Sequence, residues 1–223
     1  MKTLAKELYA ELMLVLRGKT LDLLLPPIVF YVAYSYLELN IALIIAIGFG
    51  GLLNLYRIIH KQKWWYAMFG MIGVLLASGF TFLSQNATDY FLFDMIGNVL
   101  VVIVVAFSLL IKRPVAAYAS HITRGFPIPW LFRKDIYPAY WEVTVLWLAY
   151  LTLRGSIEIV LYLQGNLSGL VWFTTLAGIP MLLGVLIASY LYGLWRLRTL
   201  KGPSVDEFLA KKEPPYEGQK KGF

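Results

Sequence analysis

Residues 140–164 read YWEVTVLWLAYLTLRGSIEIVLYLQ, a run long and apolar enough to cross a hydrocarbon core about 30 Å thick as a helix. Its second half carries Arg154 and Glu158. Residues four apart share one face of a helix, so guanidinium and carboxylate can meet without help from another segment. A charge at membrane depth costs about 2.5–3.5 kcal/mol on insertion scales, and therefore faces a protein interior or a wet cavity rather than lipid.

The rest of the chain has the same solvent in mind. Of its 223 residues 59% are hydrophobic and only 15% charged, against roughly 25% charged in soluble domains, and the mean hydropathy is +0.67. An all-α integral membrane protein follows. The net charge of +7 would suggest nucleic acid in a soluble chain; here only its position relative to the spans carries meaning, and no nucleic-acid partner is expected. The absence of cysteine excludes disulfides, Cys-held iron–sulfur clusters and thiol nucleophiles.

Hydropathy predicts six spans, at about 21–37, 41–59, 65–82, 90–111, 140–164 and 170–194, within a membrane domain over 20–196. Residues 1–19 place Leu4, Leu8, Leu12, Val15 and Leu16 at helical spacing, which predicts an amphipathic surface helix, packed on the bundle or docking a partner. No removable signal is expected; the first span acts as the insertion signal. Pro26 and Pro27 should bend or loosen its entrance. Gly48, Gly50 and Gly51, the Gly73/Ala77 pair and the Gly184/Ala188 pair read as close helix-packing positions, and Pro180 as a kink in span six. An amphipathic interfacial segment is expected between spans four and five, over 112–139. The tail, 197–223, ends in a Pro/Gly-rich basic stretch that composition assigns to disorder.

Basic residues fall before span one, in the 57–63 connection, in the 112–134 connection and in the tail, while the alternate turns have none. The positive-inside rule then puts both termini in the cytoplasm. Asn86-Ala-Thr88 and Asn166-Leu-Ser168 are formal glycosylation sequons in outer turns too short to be good acceptors.

With sides assigned, a rise of 1.5 Å per residue gives depth. From the outer face, Asp94 lies about 7 Å down, Asn98 about 13 Å, Glu158 about 9 Å and Arg154 about 15 Å. These overlapping depths predict one network, Asp94, Asn98, Arg154 and Glu158, between spans four and five. Its readings are a helix-to-helix clamp or a site for a transported ion or polar substrate. Asn54 and Glu142 fall near headgroups. His60 and His121 sit in basic loops, which argues against histidine-ligated pigment. No cofactor, metal site or catalytic residue is expected, since HExxH, GxSxG, zinc-ligand and nucleotide-loop patterns are lacking.

The segments LDLLLPPIVF (21–30), LLIKRPVAAY (109–118) and LRGSIEIVLYLQG (153–165), with D-x-x-x-N at Asp94 and Asn98, resemble the bacterial intracellular septation protein A superfamily, in particular an uncharacterised branch of it. The resemblance covers about residues 20–196; the N-terminal helix and the tail extend beyond it. It implies a multipass protein of the bacterial inner membrane, linked to envelope synthesis and division through partner proteins, and carries over no catalytic residue. Three functions remain in competition. They are a non-enzymatic scaffold or accessory subunit with lipid and membrane-protein partners, a small transporter or channel using the cluster, and an enzyme acting on a lipid. The sequence also allows a homo-oligomer.

Overall fold

Long apolar runs without internal polar partners must satisfy their backbone groups within the segment, and the helix is the form that does so. The computed structural model describes residues 21–59, 64–219 and 222–223, and among these the regular elements are all helical, without strands. The N-terminal surface helix and His60 lie outside the described residues. In order the elements are α1 (Leu21–Tyr34), α2 (Leu39–Ile59), α3 (Trp64–Ser84), a 3-10 turn (Ala87–Phe91), α4 (Leu92–Leu110), α5 (Val115–Arg124), α6 (Ile128–Leu131), α7 (Tyr137–Leu163), α8 (Leu167–Ala177), α9 (Ile179–Leu200) and α10 (Val205–Leu209).

Among the described residues, four stretches are long and apolar enough to cross a membrane: Leu39–Tyr56, Ala87–Leu110, Tyr137–Leu163 and Leu167–Leu200. Two shorter apolar helical stretches, Leu25–Tyr34 and Met71–Ser84, fall where spans one and three were expected. The chain is a helical membrane protein. Pro26 and Pro27 are both inside α1, which continues through them rather than opening at its entrance.

The described residues group into two compact units, one of those up to 98 with 154–182 and the other of those in 99–153 with 183–223. In the first, Phe30, Ala42, Leu43 and Ala46 from α1 and α2 close on Ala77 of α3, Tyr90 and Phe91 of the 3-10 turn, and Leu170 and Val171 of α8. Phe30 stacks on Tyr90 at 4.4 Å between ring centroids. The small-residue seam is Ala42, Ala46 and Gly50, each buried and four apart, with Gly50 facing Val74. This corrects the expected packing positions. A Cβ at Gly48, Gly51, Gly73 or Gly184 would meet nothing within 4 Å, and Ala188 is exposed, while Ala77 is in the core. A run of glycines does not define a packing face; the face is set by which residues repeat at the helix period.

Asn86 and Asn166, the two sequon residues, are helix caps. The Asn86 carboxamide oxygen accepts from the Thr88 backbone N–H at 3.2 Å and that of Asn166 from the Gly169 N–H at 2.8 Å, satisfying donors that the first turn leaves free. The irregularity expected at Pro180 lies at Gly178, between α8 and α9, where φ is −69° and ψ −115°. Proline lacks the N–H that would continue α8 across this point.

The second unit is built around Trp130, Leu131, Ile136, Ala139, Tyr140 and Leu197. α5 ends at Gly125 in the left-handed region (φ 72°), with its N–H donating to His121 O; this is the usual glycine stop. His121 is half-buried, and its Nδ1 bonds the Phe126 carbonyl at 2.7 Å, so it fastens that turn instead of standing in solvent. The tail differs most from expectation. Its described residues fold onto this unit: Trp130 Nε1 donates to Pro203 O at 2.8 Å, Arg124 Nε to Phe223 O at 2.8 Å, and the Phe223 ring stacks on Tyr140 at 4.4 Å. Composition predicts disorder from the scarcity of local apolar contacts, whereas these contacts are with residues far away in sequence.

Candidate functional site

The helical spacing of α7 puts Arg154, Glu158 and Tyr162 on one face. Arg154 Nε donates to Glu158 Oε1 at 2.8 Å, and its Nη2 to Asp94 Oδ2 on α4, also at 2.8 Å. Asn98, one turn beyond Asp94, lies against Gly155; any side chain at 155 would strike its amide nitrogen, so the absence of a Cβ is what makes room for the Asn98 side chain here. The four residues singled out from sequence are thus brought together within the first unit. The structure adds two that sequence reasoning missed, since Tyr162 donates its hydroxyl to Asp89 Oδ1 at 2.7 Å. The signal was available: Tyr162 continues the 154–158 spacing by one turn.

The cluster is graded in exposure. The Asp94 side chain is 60% exposed, Arg154 17% and Glu158 0%. One guanidinium therefore serves two carboxylates, one at an open end and one fully enclosed. Oε2 of Glu158 has no hydrogen-bond partner among the described residues. Buried polar groups are normally satisfied, and each exception asks for a reason.

A second arginine pair sits in the other unit. Arg196 of α9 grips Glu142 of α7 with both prongs, Nε to Oε2 at 2.8 Å and Nη2 to Oε1 at 2.9 Å, and Tyr192 adds its hydroxyl to Oε2 at 2.8 Å. Sequence placed Glu142 near headgroups and did not find this partner, 54 residues away. Asn54 donates to the Gly50 carbonyl of its own helix at 2.9 Å and has a local structural role.

Outside the apolar helices the charges are fastened too. The Arg133 guanidinium, at 2.8 Å, holds the Asp135 carboxyl below the usual carboxylate range. Glu207 is held well below it by the backbone N–H groups of Glu217 and Ser204, then by Lys212 and the Gly218 N–H. Among the described residues no group of three or more His, Cys, Asp or Glu could hold a metal ion.

A family model described as a protein of unknown function, DUF3159, matches residues 17–198. The chain belongs to the DUF3159 family. The DUF3159 match includes the Asp94–Arg154–Glu158 cluster and the Glu142–Arg196 pair, and excludes most of the folded tail. No curated protein and no solved structure matches the chain.

Proposed function

We propose that this DUF3159 member is a non-enzymatic scaffold or accessory subunit of a larger membrane assembly. In this reading it spans the inner membrane of a bacterium six times, with both termini in the cytoplasm. The two shorter apolar helices serve as spans alongside the four longer ones, and the positive-inside distribution supports the orientation. The observation that carries the functional reading is that Arg154 of α7 and Arg196 of α9 bond carboxylates of this same chain. Such internal ties fix helices against one another and leave an apolar exterior for lipids and partner helices. The resemblance to the septation protein A superfamily supplies the envelope setting of the proposal.

Extraction of the full chain from its native membrane in mild detergent, followed by native gel and mass spectrometry, tests this directly. A partner at fixed stoichiometry supports the scaffold. Migration alone, or only with copies of itself, overturns it. The second reading, a small transporter, draws on the exposed carboxylate of Asp94 at the mouth of the cluster; it requires flux in vesicles that Glu158→Gln abolishes without changing assembly.

A further inference from the structure

The unpartnered oxygen of Glu158 is the feature that an internal clamp leaves over. A clamp needs one cation and one carboxylate, and Arg154 with Asp94 already supplies them. Glu158 adds a second carboxyl to the same guanidinium in an enclosed position. An ionised carboxylate is an acceptor at both oxygens; here only Oε1 is used, and Oε2 is buried with no partner among the described residues. A charge left that way in an apolar surrounding is far more costly than a neutral group in the same place. As a carboxylic acid, Glu158 can still accept the Arg154 Nε–H at its carbonyl oxygen, Oε1, while Oε2 carries hydrogen.

We propose that Glu158 binds an exchangeable proton at Oε2, so that the cluster stands as an Asp94–Arg154 ion pair beside a neutral acid. Release leaves the carboxylate and a free proton; no other reactant takes part. The charged groups acting on Glu158 are Arg154 on its own helix and Asp94 on α4; Asp89 of the 3-10 turn is bonded by Tyr162, which stands one turn further along α7. A proton needs a single lone pair, whereas a metal cation takes a shell of several ligands, and among the described residues no third His, Cys, Asp or Glu joins Asp94 and Glu158 in such a group. Asp94, with its exposed side chain, gives the site an open end. The inference is independent of whether the chain has a partner.

The test is infrared spectroscopy of the full chain in lipid nanodiscs, with carboxyl-labelled glutamate to separate Glu from Asp. At neutral pH the wild type should give a protonated-carboxyl band that moves with the label, disappears in Glu158→Gln and persists in the control Glu142→Gln. Asp94→Asn is the sharper variant. It removes the carboxylate that competes with Glu158 for Arg154, so about tenfold more acid should be needed to restore the band; a purely structural role would not move it. Absence of a glutamate band in the wild type at neutral pH overturns the proposal, and needs no variant to fold. So does a band that survives in Glu158→Gln, one that Asp94→Asn leaves at the same pH, or one that shifts when sodium replaces potassium.

Discussion

The chain holds two arginines against carboxylates inside apolar helices, and the two sites solve the problem with different charge counts. At Glu142 one guanidinium meets one carboxylate through a two-pronged contact, and Tyr192 completes it. At Arg154 one guanidinium is divided between Asp94 and Glu158. The first is a closed pair with its acceptors used on both oxygens. The second is formally one negative charge in excess, with an enclosed oxygen to spare. The lesson is that an ion pair is read by its balance as well as its distances: a balanced pair ties helices together, while an unbalanced one also stores a place for a positive charge.

Breaking that contrast starts with the cation that two groups depend on. Arg154→Leu strips Asp94 of its ion-pair partner and Glu158 of its hydrogen bond, two contacts of about 1.5–3 kcal/mol each, the range for hydrogen bonds involving a charged group. Thermal unfolding of the detergent-solubilised chain would read this as a large fall or as failure to accumulate; a wild-type melting curve would remove the cluster's structural importance.

Arg196→Leu should come next, at about 1.5–3 kcal/mol for hydrogen bonds to a charged group. The Glu142 side chain is 26% exposed, so water can take over part of the role. If Arg196→Leu destabilised the chain more than Arg154→Leu in the same melting assay, the ranking by enclosure would be wrong. Gly155→Ala sharpens the comparison at smaller scale. Its added methyl meets the Asn98 amide, and since that is the end of a flexible side chain the cost should be about 1 kcal/mol, the lower end for overpacking. Restoration by Gly155→Ala combined with Asn98→Ala would locate the clash.

The smallest effect on the whole chain concerns the tail. Glu207 is ionised in its network of backbone N–H groups, with its carboxyl below the usual range. The folded state therefore binds the charged form. Its contribution is complete above the unfolded value of about 4.3 and is lost as pH falls through the depressed folded value. Limited proteolysis should show a tail protected at neutral and mildly acidic pH and cut faster only in strong acid. Glu207→Gln should be cut readily at every pH. Equal protection in the variant would mean that the aromatic contacts of Phe223 suffice.

What could be read from sequence depended on how local the physics was. Helices α2, α4 and α7 follow from unbroken apolar runs, and the Arg154–Glu158 contact from a spacing of four. Asp94 entered through depth arithmetic, which needed only the side assignment and the helix rise. The pairing of Glu142 with Arg196 was invisible, because it joins residues 54 apart whose rotation about their helices no single-sequence pattern fixes. The tail misled for the related reason that Trp130, Tyr140 and Arg124 lie far from the residues they hold. Glycines misled differently: abundance at 48–51 suggested a packing face, while the seam is two alanines and one glycine at the helical period.

That seam makes neighbouring positions of α2 unequal in what they can absorb. Around one turn, Ala46 is fully enclosed while Gly48 looks onto open space. A library of random replacements along this helix would therefore come back striped: bulky residues purged at 42 and 46, and accepted at 48, where gaining any Cβ even favours the helix by up to about 1 kcal/mol. Such a survival pattern would draw the inward edge of α2 from genetics alone, with no coordinates needed.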